Sequence, residues 1–188
     1  MRKMWLLGLL SGIYLLLTAC ATEDASVLIL DDYGDPHYTP HHLTDKVGQK
    51  QFPLNITKTG HKLFVFDPKI PAWAAYDEDG SRIITGRASG GGDYCEDTNT
   101  SCRTIEGTFK VYRKGTAKCV SGEFPIETNG GAKMPYCMYF YRGFTIHSGY
   151  EFSEGNTSHG CIRVLPSAAK WLNESFMTLG TQVVVLAY

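Results

Sequence analysis

The chain is 188 residues long, with 18 Lys and Arg against 19 Asp and Glu, and 43% hydrophobic and 12% aromatic side chains. That composition fits one globular domain with a short appendage, and it excludes both a disordered chain and a basic nucleic-acid binder. The charge is uneven along the length, because Arg2 and Lys3 precede an uncharged, leucine-rich run from Met4 to Thr22.

A basic start, an apolar stretch shorter than the ~20 residues of a membrane span, and small residues after it form the pattern of a secretory signal peptide. Leu17-Thr18-Ala19-Cys20 resembles a bacterial lipobox, in which the signal is removed before a cysteine whose thiol becomes lipidated. The competing reading is a single-pass anchor, and both place the remainder outside the cytoplasm. The expected organisation is a signal at residues 1–19, a tether at 20–52 and a folded domain at 53–188, with the lipid on Cys20 as the membrane contact. Removing residues 1–19, which carry Arg2 and Lys3 and no acidic side chain, leaves 169 residues with 16 basic and 19 acidic side chains, a formal charge of −3. A domain of that size buries roughly two thirds of its unfolded surface and folds without help from metals. Ala21 after the lipidated position points to the outer membrane in a two-membrane envelope, facing the periplasm.

The tether is polar and turn-rich, with one apolar piece, Val27–Leu30, expected as an edge strand or docking segment. His37, His41 and His42 read as linker, since no acidic or Cys partner recurs at ligand spacing, and no metal is expected. From Pro53 onward short β-type runs alternate with turns: His61–Asp67, Ala72–Tyr76, Arg82–Ala88 across Asp79-Gly80, Thr108–Arg113, Tyr136–Tyr141, Phe144–His147 across Arg142-Gly143, and Gln182–Ala187. Gly90-Gly91-Gly92 lacks phosphate-loop spacing and reads as the opening of a flexible loop. One helix is expected from Pro166, with Ala168, Ala169, Leu172, Phe176 and Leu179 at helical spacing, Trp171 against the sheet and Gly180 as the cap. The class is therefore mainly β with one short C-terminal helix.

Besides Cys20, five cysteines remain. Cys95, Cys102, Cys119 and Cys137 share one stretch and are disulfide candidates, while Cys161 is left over. Three connectivities are open; pairing 95 with 102 and 119 with 137 is the simplest locally. A four-thiolate zinc site is disfavoured by the absence of CxxC spacing and by an oxidising compartment.

A thiol acting as nucleophile needs a base, donors for the oxyanion formed on attack, and access to solvent. Cys161 lies in Asn156-Thr157-Ser158-His159-Gly160-Cys161-Ile162-Arg163-Val164, and His147, at the end of a strand, is separated from it by a loop of 13 residues. Paired with an imidazolium, Cys161 would be held as thiolate. The bland alternative is a small buried cysteine and a strand-end histidine.

Together these segments resemble the signature of the L,D-transpeptidase catalytic family: a strand histidine, a variable loop, then Ser-His-Gly-Cys and Ile-Arg. Ile105 to Val111 is similar to the family's Thr-Pro-x-Gly-x-Phe strand, and Gly180 to Val185 to its closing Gly-Thr-x-Val strand, so the likeness spans about residues 60–188. It implies a β-sandwich-like catalytic domain that attacks the stem tetrapeptide of peptidoglycan, releases the terminal D-Ala and forms a thioester that an amine resolves. Carried over by position, Cys161 is the nucleophile, His147 the acid/base, and Ser148 the residue whose main-chain carbonyl orients that histidine. His159 and Gly160 stand where oxyanion donors are expected. Arg163 stands where a substrate carboxylate is held, with a structural salt bridge as the competing role. No cofactor is implied, the partners are peptidoglycan stem peptides, nucleic acid is not among them, and the chain is expected as a monomer.

Two departures stand out. Ile105 replaces the family's Pro, and Gly90–Cys102 is an insertion carrying two of the cysteines. Resolution of the thioester by water would make an L,D-carboxypeptidase, and a chain that kept the fold without the chemistry would be a wall-binding surface lipoprotein. The four sequons, at Asn55, Asn99, Asn156 and Asn173, read as chance occurrences, because a glycan on Asn156 would sit beside the nucleophile.

Overall fold

The computed structural model describes residues 47–150, 152 and 155–188, and for the backbone alone 26–30 and 36–40. The expected signal and Cys20, the expected lipidation site, lie outside the described residues, as do His41, His42 and the side chain of His37. Strands β1 (Ser26–Leu30) and β2 (Pro36–Pro40) pair antiparallel with each other in a two-stranded sheet of their own, so Val27–Leu30 is not an edge of the main sheet.

The main sheet has nine strands: β3 (Leu63–Asp67), β4 (Ala72–Tyr76), β5 (Arg82–Ser89), β6 (Gly107–Lys110), β7 (Arg113–Lys114), β8 (Met138–Tyr141), β9 (Phe144–Ser148), β10 (Ile162–Val164) and β11 (Gln182–Val185), in the order β6-β11-β3-β4-β5-β10-β9-β8-β7. The predicted run Thr108–Arg113 is two strands at opposite edges of this sheet. Val111 N–H donates to Thr181 O and Tyr112 N–H to Tyr139 O, each at 2.9 Å, so neighbouring residues bond to opposite edges. The sheet is therefore curled until its edges approach, which leaves few unpaired strand groups exposed.

Alternation explains the two faces. Phe64, Phe66, Trp73, Ala88, Met138, Ile146, Ile162, Val164, Val183 and Val185 point to one side and form the main core. The helical segment closes that core, but it is shorter than its periodicity predicts. Helix α1 spans Pro166–Trp171 and relaxes into one π-type turn, Leu172–Phe176, so Leu179 lies outside it and is exposed, and Gly180 (φ 91°) shapes the turn before β11 instead of capping a helix. Lys114 Nζ explains the early end: it donates to the Asn173 and Met177 carbonyls, the latter at 2.8 Å, taking over acceptors that a longer helix would satisfy internally. Trp171 stacks on Phe176, with ring centroids 5.2 Å apart.

The opposite face is divided. Under β3 and β4 it is covered by residues near Val47, Phe52 and Ile56, which pack on Leu63, Ala72, Ala74 and Tyr76. Under β10, β9, β8 and β7 no such cover is present among the described residues, and this half of the face forms the floor of a cleft of about 1210 Å³.

Candidate active site

Register places the floor residues. Parallel pairing of β10 with β9 sets Ile162 beside Ile146 and Arg163 beside His147. Since Ile162 and Ile146 face the core, their neighbours Cys161, Arg163, Thr145 and His147 face the other way, and Cys161, His147 and Arg163 all line the cleft. The thiol and the imidazole thus share one side of the sheet and one cavity.

His147 is buried, and its Nδ1 bonds the Ser148 carbonyl at 2.7 Å, which fixes the proton on Nδ1 and leaves Nε2 as the basic nitrogen. Ser148 N–H in turn donates to Pro135 O at 2.9 Å, so the orienting carbonyl is held by the loop before β8. Burial lowers the His147 pKa to about 4, with Arg163 lowering it further and the Ser148 bond opposing. Burial also pushes the Cys161 thiol above its ordinary value, while a hydrogen bond from the Thr145 main chain and the Arg163 charge pull it down. Burial thus acts on both groups toward their neutral forms, against the thiolate and imidazolium expected from sequence. Desolvation disfavours the charged form of each group.

The Cys161 loop is built from tight local geometry. Gly160 has φ 110°, and a Cβ there would lie 2.7 Å from the Phe144 ring, so both its conformation and its space require glycine. Ser158 Oγ donates to Cys161 O at 2.5 Å and accepts from Gly160 N–H at 3.0 Å. That second bond corrects one expectation: the Gly160 amide is occupied and does not point at an oxyanion. The His159 ring is engaged elsewhere, its Nε2 lying 2.8 Å from Asp97 and its ring 4.6 Å from that of Phe124.

Sequence reasoning missed the seat beneath this loop. Gly90-Gly91-Gly92 is not the start of a flexible loop but the surface on which the Cys161 loop rests. Ser158 N–H donates to Gly90 O, Gly92 N–H to Ser158 O, and Gly90 N–H to Asn156 Oδ1 at 2.8 Å. A Cβ on Gly91 would fall 1.7 Å from Cys102 O and 2.8 Å from the Gly160 Cα. Three adjacent glycines permit this backbone-to-backbone contact, and their repetition was the only signal for it. The Asn156 amide also reaches Pro68 O at 2.8 Å, so its side chain is a half-buried strut.

Cys95 is disulfide-bonded to Cys102 and Cys119 to Cys137, leaving Cys161 as the free thiol among the described residues. The second pair pins residues 119–137 as one wall of the cleft, and the first pins the segment that supplies Asp97 to its rim. Both disulfide sulfurs of the first pair lie within 4.8 Å of a His159 nitrogen, but bonded to each other they offer no thiolate to a metal. Arg163 packs its stem on Gly149 and sets Nη1 3.5 Å from Thr157 Oγ1. Among the described residues no helix is long and apolar enough to cross a membrane.

The fold has known relatives. An L,D-transpeptidase from Stackebrandtia nassauensis superposes with a TM-score of 0.58 at 21% identity, covering 76% of this chain and 63% of that one. One from Xylanimonas cellulosilytica gives 0.58 at 24% identity, covering 78% and 70%. L,D-transpeptidase 3 from Mycobacterium tuberculosis, in complex with a faropenem-derived adduct, gives 0.54 at 17% identity, covering 67% and 60%. The chain thus spans under two thirds of the first and third of these. No curated protein sequence matches it. The L,D-transpeptidase catalytic domain family matches residues 56–185, and the chain belongs to that family.

Proposed function

We propose that the chain is a peptidoglycan L,D-transpeptidase that works through a thioester on Cys161, exported and held at the bacterial envelope by a lipid on Cys20. The observation that carries the reading is the shared, cleft-facing register of Cys161 and His147, with the histidine tautomer set by the Ser148 carbonyl. The neutral pair reacts in concert. The Cys161 sulfur attacks the carbonyl carbon of the donor stem peptide as its proton passes to His147 Nε2. The oxyanion collapses, the peptide C–N bond breaks, and His147 returns the proton to the departing D-Ala amine. An acceptor amine then attacks the thioester, gives its proton to His147, and the sulfur leaves and is reprotonated. With the Gly160 amide engaged, the oxyanion donor is the main-chain amide of Cys161 itself.

The test is incubation of the purified chain with a stem tetrapeptide, with and without an amine acceptor. D-Ala release and an acyl adduct on Cys161 are expected, both lost in Cys161→Ala, and a carbapenem is expected to acylate the same thiol. Product appearing with water alone marks a carboxypeptidase. Absence of any adduct on the folded protein refutes thioester chemistry.

A further inference from the structure

We propose that Arg113 and Tyr139 form a carboxylate-binding subsite of the cleft, which holds a free carboxylate of the peptide substrate at a fixed distance from Cys161. The proposal rests on the acyl-transfer reading of Cys161 and adds the substrate group recognised beside it.

The subsite follows from register. Arg113 pairs with Tyr139 across β7 and β8, Tyr139 with Thr145 across β8 and β9, and Cys161 precedes Ile162, which pairs with Ile146. Arg113, Tyr139, Thr145 and Cys161 therefore form one row across four strands on the cleft face, while Lys114, Met138 and Ile146 form the row facing the core. With strands about 4.8 Å apart, the β8 backbone lies roughly 10 Å from that of β10. Tyr139 and Cys161 indeed pack in one apolar cluster with Met134 and Cys137.

Tyr139 is 8% exposed, yet its hydroxyl has as hydrogen-bond neighbour the disulfide sulfur Cys119 Sγ, at 3.7 Å. A sulfur is a weak acceptor, so the phenol proton lacks a strong partner at the cleft floor. The Arg113 guanidinium lies over the Tyr139 ring, 3.8 Å from its centroid, and among the described residues no carboxylate pairs with it. Stacking fixes the plane of the guanidinium and leaves its edge N–H groups free for a planar anion. Among the described residues, Arg113, Lys133, Arg142 and Arg163 line the cleft with Asp97 and Glu123, and Asp97 is engaged by His159. In a chain of net charge −1, the described lining therefore carries more cationic than acidic side chains.

The experiment measures binding apart from chemistry. In a Cys161→Ala background, affinity is measured for a donor tetrapeptide with its side-chain carboxylates free and for the same peptide amidated, and separately for an amino-acid acceptor and its amide. Weaker binding of the amidated form by about tenfold or more, with the difference abolished by Arg113→Gln and by Tyr139→Phe and partly restored in Arg113→Lys, supports the subsite. The molecule that shows the difference, donor or acceptor, identifies the source of the carboxylate. Equal affinity for free and amidated forms overturns the proposal, as does a preference that survives both substitutions. Tyr139→Phe is isosteric and keeps the packing, so it reads the hydroxyl alone. Turnover by Cys161→Ala would defeat the thioester reading without touching this result, which separates the two.

Discussion

His159 Nε2 lies 2.8 Å from Asp97 Oδ2 while its ring rests against Phe124, so one imidazole two residues before the nucleophile touches both disulfide-pinned loops. The pair is about one third exposed on each side, which limits its worth to well under about 1 kcal/mol. Its effect is positional. Asp97→Ala is expected to leave the urea midpoint nearly unchanged while amides of residues 95–102 exchange faster and kcat/KM falls several-fold. A loss of global stability above about 2 kcal/mol, measured by urea unfolding, contradicts a merely positional tie.

The pH behaviour follows from burial. His147 titrates near 4 in the fold against an ordinary 6.5, so the folded state binds its proton later than the unfolded one. Stability from this group is fully present above about 6.5 and is lost as pH falls toward 4, by roughly 3 kcal/mol from a shift of that size. Cys161 shifts the other way, so its contribution is lost as pH rises past the ordinary thiol range. Alkylation of Cys161 by iodoacetamide is therefore expected to climb with pH and to have its midpoint above that of a free thiol. A rate already at plateau near neutrality would instead show a preformed ion pair, and His147→Ala would then abolish the plateau.

Cys119 and Cys137 close a loop with a sequence separation of 18, and that loop carries one wall of the cleft. Chain entropy puts its contribution near 3 kcal/mol. Replacing both cysteines with serine should lower stability by about that amount in guanidinium unfolding and raise KM, because the wall bearing Phe124 and Met134 loosens. If stability drops while KM is unmoved, the wall does not contact substrate.

Much of this site was legible from side-chain identity. Period-two alternation exposed most strands, and the His147 strand and the Ser-His-Gly-Cys run do place thiol and imidazole on one cleft. What escaped was decided by backbone contacts and by burial. The break between Lys110 and Arg113 depends on the curl of the whole sheet, which no local pattern encodes, and the helix ends early because Lys114, distant in sequence, takes its last carbonyls. Gly160 was expected to donate to the oxyanion, but its N–H is taken by a hydroxyl two residues away. The pull of burial on His147 and Cys161 toward their neutral forms is a property of the folded surroundings rather than of either residue.

The seat formed by Gly91 gives the sharpest test of how the nucleophile is placed. Its N–H bonds Thr104 Oγ1 at 2.9 Å and its carbonyl accepts from Tyr188 Oη at 2.9 Å, so the residue is fixed from two sides. An added methyl would meet main-chain atoms, Cys102 O and Gly160 Cα, neither of which can rotate away. Gly91→Ala must therefore displace either the disulfide-pinned segment or the Cys161 loop, at a cost of about 3 kcal/mol or more. Gly122→Ala is the control, because nothing lies within 4 Å of its Cβ position, and it should change stability by less than about 0.5 kcal/mol. If the Cys161 loop is what yields, kcat falls far more than KM and the thiol alkylates at a changed rate in protein that is still folded at low temperature. Identical melting of the two variants would mean that the glycine seat does not position the nucleophile.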